Sequence, residues 1–300
     1  MIKRGFFTIA TGNEKYYKFA SNLLKSYRLH NSNYPFGILC DRENEYTEIF
    51  DQVVILDNVN NNYLDKFRML IDSPYQEGIF IEPDCLIYKD ISCFFDMLAK
   101  ESDFSSFGWN DDKLSHWFDD SRTIIEKYGS IIQEIPLFCP GYIFVRKTNK
   151  CRKMYNDLLE LSDWIMNNTI DDNPKLIGGS GLRDDPIFCI AMKLNGFVCA
   201  EKPSVGKCIN YPRVKRVLRI NIRKGVLDVV QEREYYNCNL LHFSTRRCVE
   251  EGLYWHQCVV LKLINKKVSN FIIGLMESRF FIECFQVLRK IKYAIVHRVK

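Results

Sequence analysis

Two carboxylates, Glu82 and Asp84, stand one residue apart at the end of an apolar run that begins at Ile79. A second apolar stretch, Cys85 to Ile87, follows at once. Acids that close a buried strand lie where open α/β sheets bind ligands. Such acids can hold a divalent cation, and the cation can hold phosphates. A solvated turn that carries two acids by chance would read the same way locally. Asp184 and Asp185 form a second acidic pair, followed by Pro186, which suits the first turn of a helix. Acids there complement the helix dipole, a structural role that needs no chemistry. His242 follows the apolar pair Leu240-Leu241 at the end of a strand-like stretch. An imidazole at a strand end is either a metal ligand or a core or capping histidine.

These groups need elements to place them. Phe6–Thr11, Phe36–Asp41 and Gln52–Leu56 read as strands, and the acid-bearing strand from Ile79 is the fourth. Tyr16, Ala20, Leu23, Leu24 and Tyr27 fall at helical spacing between the first two, and residues 63–71 read as helical before the fourth. Further strands are expected at 102–108 and 141–147, with an acidic, partly helical stretch at 109–135 between them. Thr148 reads as the N-cap of a helix carrying Met154, Tyr155, Leu158, Leu161 and Ile165. A flexible loop is expected at 171–182, a helix at 186–195, and a hairpin within 213–230 turning at Lys224-Gly225. Strands alternating with helices predict an α/β fold with a mixed, mostly parallel central sheet flanked by helices. The expected organisation is a domain over 1–250 followed by a basic, amphipathic helical appendage over 251–300.

Composition narrows the class. With 47% hydrophobic and 26% charged residues among 300, the chain can bury a large core. No apolar run approaches the roughly twenty residues that a spanning helix needs. The N-terminus lacks a secretory pattern, so the expected location is cytoplasmic. The twelve cysteines are scattered without paired spacing, and Cys40, Cys85, Cys189 and Cys199 lie in apolar segments, as reduced core cysteines do. Cys238, His242, Cys248, His256 and Cys258 cluster in sequence, but their spacing matches no common zinc finger. The net charge of +5 is carried by the tail, where residues 262–300 hold nine Lys/Arg against Glu277 and Glu283. The body is slightly acidic, and no nucleic-acid motif is present, so no nucleic-acid partner is expected. In the tail, Phe281, Phe285, Leu288, Ile291 and Ile295 form an apolar stripe. It would pack on the domain, lie on an anionic membrane surface at the inner face, or meet a partner.

The order of these segments resembles nucleotide-sugar glycosyltransferases of the GT-A fold, in particular the retaining, family-8-like group. Glu82-Pro83-Asp84 stands in the DxD region, with Lys89-Asp90-Ile91 after it. Tyr63–Phe67 carries the family's lysine as Lys66, and Ser73-Pro74-Tyr75 matches its SPY turn. Phe138–Phe144, Arg183–Met192 and Leu240–Ser244 follow in the family's order, and the resemblance covers roughly residues 5–250. Glu82, Pro83 and Cys139 depart from the usual Asp, Ala and Asn.

The resemblance implies a metal site of Glu82, Asp84 and His242 for manganese or magnesium. It implies a nucleotide over the first strand, contacted by Thr8, Ala10, Thr11, Asp41 and Lys66. Tyr16 or Tyr17 would stack on the base, and Lys207 is a candidate for the diphosphate. Gly141 would let the backbone approach the sugar, and Asp184 and Asp185 would lie near the anomeric carbon. The implied reaction is transfer of a sugar from a UDP-sugar, with retention, to a glycan or lipid-linked acceptor. Two rivals stay open: a non-catalytic nucleotide-sugar-binding or scaffold protein on the same fold, and a nucleotidyltransferase. The second would usually show a glycine-rich basic loop after the first strand, which Ala10–Lys18 lacks.

Overall fold

The structure is a computed structural model describing residues 3–100, 102–111, 122–132, 135–138, 141–168, 177–178, 181–201, 207–210, 214, 216–231, 233–244, 252–278, 280–284 and 287–288. In chain order it begins with β1 (Arg4–Ala10), α1 (Glu14–Arg28), β2 (Phe36–Cys40), β3 (Gln52–Ile55) and a 3-10 helix (Tyr63–Arg68). Next come α2 (Met69–Asp72), β4 (Glu77–Ile81), β5 (Cys85–Ile87), α3 (Cys93–Leu98), β6 (Phe104–Ser105) and β7 (Phe107–Asp111). Then follow α4 (Arg122–Ile132), β8 (Ile135–Phe138), β9 (Tyr142–Arg146), α5 (Asn149–Asn168), β10 (Ile177–Gly178), β11 (Gly181–Leu182) and α6 (Asp184–Leu194). The described chain closes with β12 (Ala200–Glu201), β13 (Lys207–Asn210), β14 (Arg216–Asn221), β15 (Val226–Gln231), β16 (Glu234–His242), α7 (Gly252–Asn265) and α8 (Asn270–Met276). The chain divides into two compact units. One comprises 1–20, 33–83 and 92–203; the other comprises 21–32, 84–91 and 204–300.

The first unit is built on a six-stranded sheet of order β3-β2-β1-β4-β9-β6. β3, β2, β1 and β4 run parallel, and β9 is antiparallel to both β4 and β6. Every residue of β2 and β4 is buried, as strands covered on both faces require. Phe7, Leu39, Phe80 and Val145 from the sheet pack in one core with Met154, Leu158, Leu161 and Ile165 of α5 and Ile187–Met192 of α6. The spacing of the α5 residues is the amphipathic period read from the sequence. Tyr75 of the SPY turn is fully buried, and its ring lies over Gly5, where a Cβ would sit 2.4 Å from it.

Two expectations change in this unit. The strand expected at 102–108 is divided at Ser106. Its hydroxyl donates to the Tyr142 carbonyl at 2.8 Å, and its own carbonyl accepts from Ala200 N at 2.9 Å. β6 therefore stays in the large sheet, while β7 joins a second sheet of order β12-β7-β8. Within the expected loop at 171–182, β10 and β11 pair antiparallel through Gly178 and Gly181.

In the second unit β16 is central, antiparallel to β15 along its first half and flanked by β13 and β5 along its second. β14 and β15 form the expected hairpin, turning at Gly225 with φ +67°. Asn221 Oδ1 closes that turn by accepting from Lys224 N at 2.8 Å. The expected helical tail is broken within its described part. α7 ends before Lys267, which adopts φ 53°, and Ser269 Oγ caps α8 by accepting from Ile272 N. α7 buries Leu253, Tyr254, Val260 and Leu261, whereas α8 buries Ile273 alone. Phe285, Ile291 and Ile295 of the expected stripe lie outside the described residues. Among the described residues no helix is long and apolar enough to cross a membrane.

Candidate functional site

In the first unit, β4 ends at Ile81 and the next residue is Glu82, whose N–H donates to the Gly141 carbonyl at 3.0 Å. The expected glycine and the first acid thus meet through the backbone. Lys66 lies on the 3-10 helix, whose start is fixed by Asn62 Oδ1 accepting from Leu64 N at 2.9 Å. Its ammonium pairs with Glu82 Oε1 and, at 2.5 Å, with Asp184 Oδ2. Burial disfavours the Lys66 ammonium, yet the charges of Asp184, Glu82 and Asp185 outweigh it and hold its pKa above the ordinary value.

Asp184 and Asp185 open α6 and carry the acidic charge of its first turn. Burial pushes the Asp185 carboxyl up to about 7, and the like charge of Asp184 pushes the same way against Lys66. Three carboxylates therefore share one ammonium. That excess of acceptors suits hydroxyl groups or developing positive charge, not a phosphate. Glu82, expected to share the metal, is engaged by the lysine, whose positive charge competes with a cation.

The ends of β1 and β2 carry the residues expected at the nucleotide. Thr8 is fully buried and Ala10 nearly so. Thr11 Oγ1 donates to Asp65 Oδ2 at 2.7 Å. Asp65 also accepts from Asn60 N at 2.7 Å and Asn61 N at 2.9 Å, so Thr11 anchors the polar loop before the 3-10 helix. Asp41 accepts from the Tyr17 hydroxyl and, at 3.3 Å, from Gly12 N. Arg42 pairs with Asp41 at 2.8 Å and stacks its guanidinium over the Tyr17 ring at 5.0 Å. Burial, reinforced by Asp41, raises the Tyr17 phenol.

Tyr17 is thus the buried member of the tyrosine pair and Tyr16 the exposed one, with Lys15 Nζ 4.7 Å from the Tyr16 ring. The helical spacing read from the sequence set Tyr16 on the apolar face with Ala20, Leu23, Leu24 and Tyr27, and the structure corrects it: Tyr17 takes that place, sharing a buried face with Ala20, Leu24 and Tyr27. Asp65, by contrast, had no signal: it sits within the 3-10 helix, and nothing in the sequence marks it as the partner of Thr11 and of the polar loop before it.

The second unit holds the other ligands. Asp84 Oδ1 lies 3.3 Å from His242 Nε2, and His242 is nearly fully buried. β5 and β16 pair with His242 opposite Cys85, and Phe243 N donates to the Asp84 carbonyl at 3.2 Å. The ligand atoms of Asp84, Cys85 and His242 all lie within 4.8 Å of one another. Carboxylate and imidazole donors suit a divalent cation such as manganese. The expected pair Asp84 and His242 is brought together, and Cys85, read from sequence only as a core cysteine, joins it. The other members of the sequence-level Cys/His cluster are engaged elsewhere or lie outside the described residues. His256 Nε2 is 2.7 Å from the Met276 carbonyl, and Cys248 is not described. Lys207 opens β13, in register with Cys238. Cys139 lies outside the described residues.

No protein-family model and no curated protein matches the chain. Among solved structures, the bifunctional glycosyltransferase WbbM in its apo form matches with a TM-score of 0.52 at 9% identity, over 89% of this chain and 52% of that one. The galactosyltransferase LgtC, in complex with donor and acceptor sugar analogues, gives 0.49 at 10% identity over 89% and 96%. The glycosyltransferase GlyE of Streptococcus pneumoniae TIGR4 gives 0.43 at 11% identity over 67% and 45%. The chain spans about half the length of the WbbM and GlyE chains it matches. Its mixed, mainly parallel sheet with flanking helices is the fold of the GT-A glycosyltransferases, as the sequence led one to expect.

Proposed function

We propose that the chain is a glycosyltransferase that moves a sugar from a nucleoside diphosphate sugar, of the UDP class, to a glycan or lipid-linked acceptor with retention. The observation that carries this reading is the pairing of Asp84 with His242 at 3.3 Å, two residues remote in sequence that the motif order had matched as metal ligands. A manganese or magnesium ion held there would supply Lewis-acid charge to the departing diphosphate. Asp84 offers an anionic oxygen and His242 a neutral nitrogen. Lys66 fixes the carboxylates of Glu82 and Asp184, so neither needs to reorganise during the reaction. Asp184 and Asp185 accept hydrogen bonds from donor-sugar hydroxyls. Their negative charge stabilises oxocarbenium character at the anomeric carbon. Asp41 and the Tyr17–Arg42 pair bound the nucleotide at the ends of β1 and β2. In this reading residues 1–250 are the catalytic domain; of the segment from 251, α7 is packed through its buried side chains, and the part from α8 onward docks the protein on an anionic membrane at the cytoplasmic face. Exposed Phe271, Phe280 and Leu288 favour that role.

The test is UDP release across a panel of UDP-sugars with manganese, for the wild type and Asp84→Ala side by side. Release with one donor, lost in the variant, is the expected result. Metal-dependent UDP binding without release under any acceptor would favour the non-catalytic binder. Absence of both would overturn the reading.

A further inference from the structure

The donor set in the second unit is softer than a carboxylate and an imidazole alone. β5 and β16 pair antiparallel with Cys85 directly opposite His242, and residues facing each other across a ladder project to the same side. Asp84 precedes β5, so strand alternation does not turn its carboxylate to the other face. Its carbonyl is tied to Phe243 N at 3.2 Å, which fixes the chain on both sides of the pair. The Phe243 ring is itself held against Tyr254, centroids 4.9 Å apart. Asp84 and His242 already stand at 3.3 Å, about the edge length of a metal polyhedron with bonds of roughly 2.1 Å. The three ligand atoms lie within 4.8 Å of one another, so an inward movement of about an ångström brings the sulfur to bonding distance.

We propose that Cys85 is a third protein ligand, so that Asp84, Cys85 and His242 bind a divalent cation through oxygen, sulfur and nitrogen, with preference for thiophilic ions such as zinc and cobalt. The proposal rests on the Asp84–His242 site assigned above and changes its preferred ion from manganese or magnesium to zinc or cobalt. On binding, the Cys85 thiol gives its proton to solvent and its sulfur lone pair to the ion. Carboxylate and thiolate together then balance the charge of a divalent cation in a buried place. Soft thiolate favours zinc or cobalt over manganese and magnesium, which prefer oxygen. The remaining coordination positions stay open for an oxygen of the ligand diphosphate.

The test uses the full chain, stripped with a chelator and titrated with cobalt(II). The wild type should bind one equivalent with visible d–d bands and a near-ultraviolet sulfur-to-cobalt charge-transfer band. In Cys85→Ser the charge-transfer band should vanish while d–d bands persist, and cobalt affinity should fall at least about tenfold, since even outer-sphere partners of metal ligands change affinity by that much. His242→Ala should lose both sets of bands. Zinc-edge X-ray absorption on the unmutated protein gives a reading free of folding effects, with one sulfur expected at about 2.3 Å. His242-dependent d–d bands without a charge-transfer band, or a charge-transfer band that survives in Cys85→Ser, would overturn the Cys85 role and leave the Asp84–His242 site standing. Absence of any His242-dependent cobalt binding would overturn both.

Discussion

Replacing Lys66 by Met keeps the length of the side chain and removes its charge. Lys66 is 10% exposed at its side chain, and its partners Glu82 and Asp184 are 18% and 20% exposed. Removing one member of a buried ion pair costs about 3–5 kcal/mol, because the other member is left uncompensated. Water reaches both carboxylates in part, which brings the expected loss to about 2–3 kcal/mol. That is roughly a 30- to 150-fold fall in the folding equilibrium constant. The loss should depend on pH. Without the ammonium three carboxylates repel one another, and protonation relieves the repulsion. The deficit should therefore be largest at pH 7.5 and shrink toward pH 5. Urea unfolding of the wild type, Lys66→Met and Lys66→Arg at both pH values, followed by circular dichroism, reads this directly. Lys66→Arg should recover most of the loss. Equal stability of the wild type and Lys66→Met at pH 7.5, or a deficit that ignores pH, would refute the charge argument.

Asp185 carries a folded-state pKa raised from 3.8 to about 7 by burial and by Asp184, so its contribution to stability is present below pH 4 and lost as pH rises through 7. Asp185→Asn should flatten the stability profile across that window, as thermal unfolding against pH would reveal. Gly12 holds φ +69°, and a Cβ there would meet Asn61 Oδ1 at 2.9 Å. Gly12→Ala should cost about 1–2 kcal/mol in chemical denaturation, since both the backbone region and the contact are unfavourable. Phe271 is 75% exposed and Phe280 70%. Changing both to Ser should leave the melting temperature in place and reduce co-sedimentation with vesicles of anionic lipid; unchanged sedimentation would sink the membrane role of the tail.

Strands β2 and β4 were legible because burial on both faces imposes an apolar run, whereas the edge strand β3, half-buried at most, was legible only from its β-branched Val53-Val54-Ile55. Helix α1 was legible from its period, and α5 from its period together with the Thr148 cap, whose Oγ1 accepts from Cys151 N at 3.3 Å. The split at Ser106 was not, because it depends on one hydroxyl reaching Tyr142, far along the chain. The break at Lys267 was hidden by continuous apolar spacing on both sides of it, and a left-handed lysine carries no compositional signal. Among the candidate residues, Asp84 and His242 could be named because each ends an apolar stretch. The approach of His242 to Cys85 could not be foreseen, since strand register is decided by pairing between distant segments. Thr11 shows the opposite failure. A hydroxyl at the end of the first strand reads as a ligand contact, and its Asp65 partner becomes evident only once the loop closes.

The pairing of β16 with β5 has a consequence for how this part of the chain tolerates change. Side chains on a strand obey parity, so a slip of one position would send His242 to the far side of the sheet and bring Leu241 in its place. A single inserted residue between Asn239 and His242 would thus abolish the cluster while leaving Asp84, Cys85 and His242 all present in the sequence. Conversely, a paired shift of two would restore the facing and put a different side chain opposite Cys85. Indels in this strand are quantised in their effect, and counting residues from Asn239 to Phe243 diagnoses whether the cluster can assemble more reliably than asking whether its three members are present.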